Sequence, residues 1–209
     1  MFTGIVQAQV PLLSVQGTEA LKELQLILPE GECRENVTLG ASIAINGVCL
    51  TVKTFDEPTG KVAFDVMRQT LDLSNIGEVV EGDWVNVERS ATFAKEIGGH
   101  VVSGHIDGQL DVVGIDKNDE NCRITFAYPE KYDVYLFDKG FASINGCSLT
   151  IADKNDAAKT ISVCYIPETL ARTNHGRLQV GDKVNLEIDR TTQAIVDTVE
   201  RLLAAKKLA

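Results

Sequence analysis

The 209-residue chain has few of the features that would mark a membrane, secreted or nucleic-acid-binding protein. No apolar run approaches the roughly 20 residues of a membrane-spanning helix. The N-terminus "MFTGIVQAQV" lacks the basic start and apolar core of a secretory signal. Positive charge is scarce: 20 Lys and Arg against 30 Asp and Glu give a formal net charge of −10. Because phosphate binding needs a basic face, we expect neither a nucleic-acid nor a membrane partner.

Paired cysteines and the common catalytic motifs are also missing. The five cysteines are Cys33, Cys49, Cys122, Cys147 and Cys164. They form no C-x-x-C pair and are odd in number, which favours free thiols in a reducing compartment and predicts a cytoplasmic protein. The chain has no G-x-x-x-x-G-K-[ST] loop, no G-x-G-x-x-G after a strand, no G-x-S-x-G and no H-E-x-x-H.

What the sequence does contain is one phrase written twice. "AINGVCLTV" begins at Ala44, and "SINGCSLTI" begins 99 positions later at Ser143. At the same shift "GDWVNVE" meets "GDKVNLE", and near the start "TGIVQAQV" meets "SGHIDGQL" at a shift of 100. A solenoid unit spans about 20–50 residues, so this longer period is the size of a small domain. We therefore predict related domains at 1–88 and 100–188, a linker at 89–99 and a C-terminal segment at 189–209.

Both halves show the pattern of β structure. Short apolar and β-branched runs are broken by Gly, Pro, Asn and Asp, and "VNVE" and "VNLEI" alternate with period two. Five or six such strands in each half favour a small antiparallel barrel, since closure removes exposed sheet edges. The sequence thus predicts an all-β protein of two similar six-stranded antiparallel barrels in tandem.

The C-terminal segment has helical periodicity instead. An apolar stripe is formed by Ile195, Val196, Val199, Leu202 and Leu203. Thr191 or Thr192 can cap its start, and Lys206 and Lys207 suit the negative end of its dipole. The helix could pack on its own chain or bundle with copies of itself, and we favour an oligomerisation helix.

The repeated phrase has a structural and a functional interpretation. Asn-Gly favours a tight turn, after which alternation places Cys49 and Thr51 on one face of a strand, and likewise Ser148 and Thr150. Such polar pairs could bind a flat heterocycle, although a duplicated turn and strand would explain the identities equally simply. Because Cys49 replaces Ser148 between copies, the halves could form two unequal pockets. Such pockets could hold two molecules of one compound, whose proximity is worth roughly 7–11 kcal/mol.

The histidines give weaker indications. His100 and His105 are five positions apart, which on a strand sends them to opposite faces, so a shared metal is not expected. "GGH" before Val101 is typical of a bulge or a turn at the domain entry. His105 follows a Ser-Gly pair and could carry a proton, or it could be structural.

Several motifs together resemble the riboflavin synthase alpha-chain family. They are "MFTGIVQ", "NGVCLTV", "GDWVNVER", "GGHVVSGHIDG", "KGFASINGCSLT", "IPETLARTN" and "VNLEID", and they cover the chain from Met1 to the C-terminal helix. The resemblance implies two six-stranded barrels and a helix that assembles a homotrimer. It implies conversion of two molecules of 6,7-dimethyl-8-ribityllumazine into riboflavin and 5-amino-6-ribitylamino-2,4(1H,3H)-pyrimidinedione, without redox cofactor or metal. It also places the site between the N-barrel of one subunit and the C-barrel of its neighbour, and makes lumazine synthase a candidate partner.

Carried onto this chain, the resemblance nominates the following residues. On the N-barrel side they are Gly4, Ile5, Val6, Cys49, Leu50, Thr51, Asp65, Val66, Met67, Arg68, Gln69, Thr70, Gly104, His105 and Ile106. On the C-barrel side they are Lys139, Ser148, Leu149, Thr150, Tyr165, Ile166, Pro167, Glu168, Thr169 and Leu170. Residues expected to influence turnover are Phe2, Cys49, His105, Ser148 and Thr150.

Some assignments stay open at this point. The acidic C7 methyl of the lumazine needs only a weak base, which could be His105, Ser148 or water. Asn145 stands where many family members have Asp, so it is assigned a role in the turn and no acid–base role. The alternatives to a synthase are a non-catalytic lumazine or flavin carrier, and a flavin-binding barrel of an oxidoreductase, for which no nicotinamide domain remains.

Overall fold

Two β-domains and a C-terminal helix form the chain in the computed structural model. The structure describes residues 1–93, 96–118 and 121–207. Ala94 and Lys95 of the predicted linker, and the last two positions of the predicted helix, lie outside the described residues. Among those described, no helix is both long and apolar enough to cross a membrane.

The N-terminal domain is a closed six-stranded antiparallel barrel, as predicted. Its strands are β1 (Ala8–Gly17), β2 (Leu21–Ile27), β3 (Ser42–Ile45), β4 (Val48–Asp56), β5 (Lys61–Met67) and β6 (Trp84–Arg89). They hydrogen-bond in the order β1-β2-β5-β4-β3-β6, and pairing of β1 with β6 closes the ring. Between β5 and β6 lie helix α1 (Arg68–Leu73) and a 3₁₀ turn (Asn75–Gly77).

The C-terminal domain repeats this order with one strand divided. Its strands are β7 (Gly108–Lys117), β8 (Cys122–Ala127), β9 (Phe141–Ile144), β10 (Cys147–Thr150), β11 (Asp153–Asn155), β12 (Thr160–Tyr165) and β13 (Lys183–Ile188). Helix α2 (Pro167–Arg172) and 3₁₀ turns at Glu130–Tyr135 and Asn174–Arg177 complete it. The pairing order is β10-β9-β13-β7-β8-β12-β11, so the sheet is curled, with β10 and β11 at its two edges.

The division of the strand falls at Ile151 and Ala152, between β10 and β11. The N–H of Ile151 donates to the Gly140 carbonyl (2.9 Å), and the Ile151 carbonyl accepts from the Lys139 N–H (2.8 Å). The N-terminal barrel makes the same bonds at Val52, whose N–H donates to the Ala41 carbonyl (2.9 Å) and whose carbonyl accepts from the Gly40 N–H (2.9 Å). In β4 the equivalent point is a register shift between Val52 and Thr54 that leaves the strand continuous. Where the sequence predicted a second six-stranded barrel, the structure has a seven-stranded curled sheet of the same order.

The leading segments of the two domains are exchanged. Val6 packs in the hydrophobic core of the C-terminal domain, and Ile106 packs in the core of the N-terminal barrel. Where the segments cross, Phe2 and Val102 form an antiparallel bridge through two backbone hydrogen bonds of 2.7 and 3.0 Å. The two domains are therefore interlocked.

Six buried asparagines join the domains around an approximate two-fold axis. They are Asn46, Asn75, Asn86, Asn145, Asn174 and Asn185. The bonds come in matched pairs: the Asn75 N–H donates to Asn185 Oδ1 and the Asn174 N–H to Asn86 Oδ1, both at 2.7 Å. Buried amides are stable only when hydrogen-bonded, so this network fixes the domains relative to each other.

The repeated Asn-Gly turns meet at the centre of this network. Asn46 and Asn145 have φ of 47° and 45°, and Gly47 and Gly146 have 81° and 78°, which is the backbone of a tight hairpin turn. A Cβ on Gly47 would lie 2.7 Å from the Gly146 nitrogen, so the turns touch back to back. The role in the turn predicted for Asn145 is confirmed, together with an unpredicted role between domains.

Helix α3 (Arg190–Lys207) follows β13 and is capped by Asp189. Asp189 Oδ2 accepts from both the N–H and the hydroxyl of Thr192 at 2.8 Å, so the prediction of Thr191 or Thr192 as the cap is wrong. Arg190 fixes the first turn by binding Asp107 (3.0 Å). The predicted stripe is largely bare: Ile195, Val199, Leu202 and Leu203 are 60%, 49%, 61% and 56% exposed.

Candidate functional site

A cavity lies beside Cys49 on the N-terminal barrel, and we call it the Cys49 pocket. It is a cavity of about 250 Å³ lined by Val48, Cys49, Gln69, Thr70, Leu73, Ser74, Gly104, His105 and Ile106. The Cys49 N–H donates to the Gly104 carbonyl (2.9 Å), so the exchanged segment forms one wall. A Cβ on Gly104 would lie 2.5 Å from Cys49 Cβ, which requires glycine there.

The equivalent position on the C-terminal domain is formed by Ser148, His100, Gly99 and Gly4. We call this position the Ser148 pocket because it is the counterpart of the Cys49 pocket in the repeat. The Ser148 N–H donates to the Gly4 carbonyl (2.8 Å), the counterpart of the bond at Cys49. Ser148 Oγ lies 2.6 Å from His100 Nδ1, within strong hydrogen-bonding distance. A hydroxyl beside an imidazole can pass a proton in either direction, so this pair can serve proton transfer or activate the hydroxyl.

His100 is held and partly desolvated by its surroundings. Its ring stacks on Phe141, with centroids 5.4 Å apart and 17° between planes. Burial lowers the pKa of His100 below its usual value, and the negative charges of Asp189 and Glu187 only partly oppose this effect. The imidazole is therefore neutral near pH 7 and able to accept a proton.

The alternation predicted for the repeated phrase is confirmed. Cys49 and Ser148 are half-buried and Thr51 and Thr150 exposed on the outward face, whereas Leu50 and Leu149 point into the cores. Val66 and Tyr165 are also core residues. These four buried residues can offer a ligand only their backbone.

Several predicted residues are exposed on the surface and do not line the Cys49 pocket. Met67 and Ile166 are 67% and 63% exposed, immediately before α1 and α2. Asp65 is held by Lys53 (2.8 Å) on the barrel surface. Lys139 is exposed in a turn with φ of 64°.

The two short helices carry the remaining nominated residues. Arg68 is ion-paired with Asp72 on α1, and Glu168 with Arg172 on α2. Pro167 and Leu170 line a separate cavity of about 200 Å³ beside Tyr165, and Thr169 lies in the first turn of α2.

Two sequence-based placements need correction. Gly4, Ile5 and Val6 were grouped with the N-barrel segments, but the exchange puts them against Ser148 and the C-terminal core. The predicted turn at "GGH" is present as a bend at Gly99, yet its histidine, His100, was given no role and is the partner of Ser148. Nothing in the local sequence pairs two residues 48 positions apart.

Phe2 does not line either pocket surface. It is 1% exposed and its ring lies behind Gly104, where a Cβ would approach Phe2 Cε2 to 2.9 Å. His105 is exposed at the mouth of the Cys49 pocket, and its carbonyl accepts from Arg190. Influence of these residues on turnover stays a prediction.

A larger cleft of about 380 Å³ opens beside the asparagine network, where Arg177 stacks on Trp84 at 3.9 Å. None of the predicted site residues lines it. Within the described part of the chain, no three His, Cys, Asp or Glu side chains are grouped as a metal site.

Comparison with known proteins matches this architecture. The lumazine binding domain family matches twice, at residues 3–90 and 103–189. The riboflavin synthase of Escherichia coli is 43% identical over 210 residues, covering 100% of this chain and 96% of the relative. That of Buchnera aphidicola subsp. Schizaphis graminum is 39% identical over 212 residues, covering 97% and 96%.

Solved structures of LumP have the same fold. LumP complexed with 6,7-dimethyl-8-(1'-D-ribityl) lumazine superposes with a TM-score of 0.79 at 26% identity, over 90% of this chain and 98% of LumP. LumP complexed with riboflavin gives 0.82 at 26% identity, over 90% and 99%. The duplicated fold and the two matches to the lumazine binding domain family thus define a protein with two domains of that family.

Identity to curated relatives over the whole length narrows the class further. The chain belongs to the riboflavin synthase family of transferases.

Proposed function

We propose that the protein converts two molecules of 6,7-dimethyl-8-ribityllumazine into one riboflavin and one 5-amino-6-ribitylamino-2,4(1H,3H)-pyrimidinedione. One substrate molecule gives a four-carbon unit and the other receives it, and the atoms of the two substrates equal those of the two products. The observation that carries the proposal is the pair of equivalent but chemically unequal positions: Cys49, which lines a cavity, and Ser148, which bonds to His100. LumP, complexed with this lumazine, supports the ligand class.

The functional units of the proposal are the domains at 1–88 and 100–188. Each would bind one lumazine through the segments nominated from the sequence, with the ligand's carbonyls and ring nitrogens facing the backbone of β4 or β10. Positioning of the two rings would supply most of the acceleration, since proximity alone can be worth roughly 7–11 kcal/mol.

In this reaction the Ser148–His100 pair would carry out the proton transfer. The C7 methyl of the bound lumazine is acidic because its anion delocalises into the ring. Neutral His100, 2.6 Å from Ser148 Oγ, can accept a proton directly or through that hydroxyl. Alternatively the Ser148 hydroxyl, deprotonated by His100, adds reversibly to the partner ring, and the same pair returns the proton to the leaving amine.

The assembly would bring the two pockets of different subunits together. We propose a homotrimer formed through α3, located in the cytoplasm. Its support is the apolar stripe, of which Ile195 and Leu202 are 60% and 61% exposed. Closing a Cys49 pocket against a neighbour's Ser148 pocket would exclude water from the reacting rings. Association with lumazine synthase stays a prediction.

The decisive experiment is incubation of the purified protein with 6,7-dimethyl-8-ribityllumazine alone. We expect riboflavin and the pyrimidinedione to appear in equal amounts. Binding of the lumazine without conversion would contradict the proposal and favour a carrier like LumP.

Assembly has its own test. The double variant Val199→Asp/Leu202→Asp places charges on the stripe without removing the helix, and Thr198→Asp/Arg201→Asp is the control next to it. Sedimentation should give monomers for the first variant and trimers for the second and for the unmodified protein. A trimer that survives the first variant would refute a role for the stripe in assembly.

A further inference from the structure

Each domain ends its last strand with a buried glutamate that binds a leading segment. Glu88, in β6, is 5% exposed. Its carboxylate accepts from the Thr3 N–H (2.7 Å), the Thr3 hydroxyl (2.8 Å) and the Gly4 N–H (3.1 Å). Three donors therefore converge on one carboxylate and fix the first residues of the chain.

The other domain repeats this arrangement. Glu187, in β13, is 1% exposed and accepts from the Ser103 N–H (2.6 Å), the Ser103 hydroxyl (2.6 Å) and the Gly104 N–H (2.9 Å). Glu88 and Glu187 are equivalent in the repeat, as are Thr3 and Ser103. The same bonds occurring twice point to a requirement shared by both halves.

The segments held in this way are the walls of the pockets. Gly4 touches Ser148, since a Cβ on Gly4 would lie 2.5 Å from Ser148 Cβ, and the carbonyl of Gly4 binds the Ser148 N–H. Gly104 touches Cys49 in the same way. Because of the exchange, the glutamate of each domain is linked to the pocket of the other.

We propose that Glu88 is a positioning residue for the Ser148 pocket and Glu187 is a positioning residue for the Cys49 pocket. Each carboxylate holds a glycine against the reactive side chain of the opposite domain and so sets where that side chain and its ligand stand. The assignment rests on the proposed function, because it states which group of that same site each glutamate controls.

The two glutamates differ in their charge surroundings. Arg190 Nε lies 3.7 Å from Glu187, whereas the donors to Glu88 within the described part of the chain are neutral. Burial raises the pKa of Glu88, and the hydrogen bonds of Thr3 and Gly4 oppose that effect. An amide at this position would turn an NH₂ group toward N–H donors and weaken the grip on the segment.

The test compares Glu88→Gln with Glu187→Gln in the full-length protein. Glu88→Gln should lower kcat about 10-fold or more with a smaller change in KM, and should move the ring NMR signals of His100. It should leave the alkylation rate of Cys49 by iodoacetamide, read by peptide mass, unchanged. Glu187→Gln should accelerate Cys49 alkylation several-fold. The NMR signals of His100 are not used as a measure of positioning in Glu187→Gln, because the charge of Glu187 acts on that ring directly.

Two controls separate positioning from loss of structure. The signals of His175, buried in the C-terminal domain, should stay in place in both variants, and Thr3→Ser should retain the activity that Thr3→Val loses. The proposal is overturned if Glu88→Gln leaves both the NMR signals of His100 and kcat unchanged. It is also overturned if Glu88→Gln changes the alkylation rate of Cys49 as much as Glu187→Gln does, or if it shifts the NMR signals of His175. If the unmodified protein forms no riboflavin, the proposed function fails, while the His100 and Cys49 measurements on ligand-free protein still decide the positioning roles.

Discussion

The two domains share a strand order and a turn, yet they differ where chemistry would occur. The C-terminal domain pairs Ser148 with His100, whereas the N-terminal barrel has Cys49 at the equivalent position and no histidine corresponding to His100. The C-terminal core also contains Tyr165 and His175, where the N-terminal core contains Val66 and Ile76. The comparison shows that the two halves share a scaffold, whereas the side chains at equivalent positions differ.

The largest expected effect tests the asymmetry of the pockets. Ser148→Ala removes the hydroxyl that binds His100 and should lower kcat about 100-fold or more, with KM changed little, because proton transfer is lost and binding surface is kept. Cys49→Ser, which gives the first pocket the side chain of the second, should cost far less. Steady-state kinetics measures both, and equal losses in the two variants would contradict distinct roles.

The next effect tests the Asn-Gly turn, which both halves share. Gly47→Ala adds a Cβ 2.7 Å from the backbone of Gly146 at a φ of 81°, and should destabilise the fold by at least about 3 kcal/mol. Gly82→Ala is the matched control, because φ is also positive (90°) but a Cβ there has no neighbour within 4 Å. It should cost about 1 kcal/mol. Denaturant unfolding measures the free energy of unfolding of both variants. Similar losses of stability in the two would argue against contact between the turns.

A difference between the cores should appear as pH dependence. Burial lowers the pKa of His175 to about 4, below the value of 6.5 for an exposed histidine. The unfolded chain therefore binds more protons than the folded chain between these pH values, so stability falls as pH drops from 6.5 to 4. The total is about 3 kcal/mol. His175→Ile copies Ile76 and should remove this loss, measured as the free energy of unfolding against pH. An unchanged slope would show that other groups cause the acid lability.

The smallest effect concerns Tyr165, the second polar residue of the C-terminal core that has an apolar counterpart in the N-terminal core. Among the described residues, the Tyr165 hydroxyl has no hydrogen-bond partner, although it is buried. Tyr165→Phe should therefore raise stability by up to about 1 kcal/mol, since an unsatisfied polar group is removed and the ring is kept. Thermal unfolding measures the change in stability. Tyr132→Phe is the contrasting variant and should lower stability, because the Tyr132 hydroxyl donates to the Asp107 carbonyl at 2.5 Å. A loss in Tyr165→Phe would reveal a partner for that hydroxyl.

Sequence reasoning recovered what depends on periodicity. The repeat predicted two related domains, alternation predicted the outward faces of Cys49 and Ser148, and the stripe around Val199 predicted the helix. The matching asparagines, such as Asn75 and Asn174, were visible as identities between copies. Their bonds across the domains were not, because the one-letter pattern does not say which copy a side chain meets.

Other features leave no pattern in a single sequence. The pairing of His100 with Ser148 follows from a bend at Gly99, which brings together residues 48 positions apart. The exchange that moves Gly4 to the C-terminal domain reverses the grouping expected from chain order. Each of these depends on long-range packing that adjacent residues do not encode.

The exchange of leading segments has a consequence for substitutions. A substitution near Thr3 or Gly4 acts on the Ser148 position of the other domain, because the segment packs there. The two domains therefore cannot tolerate changes in these segments independently of each other. Each must keep the turn, the amides and the carboxylate that the other contacts.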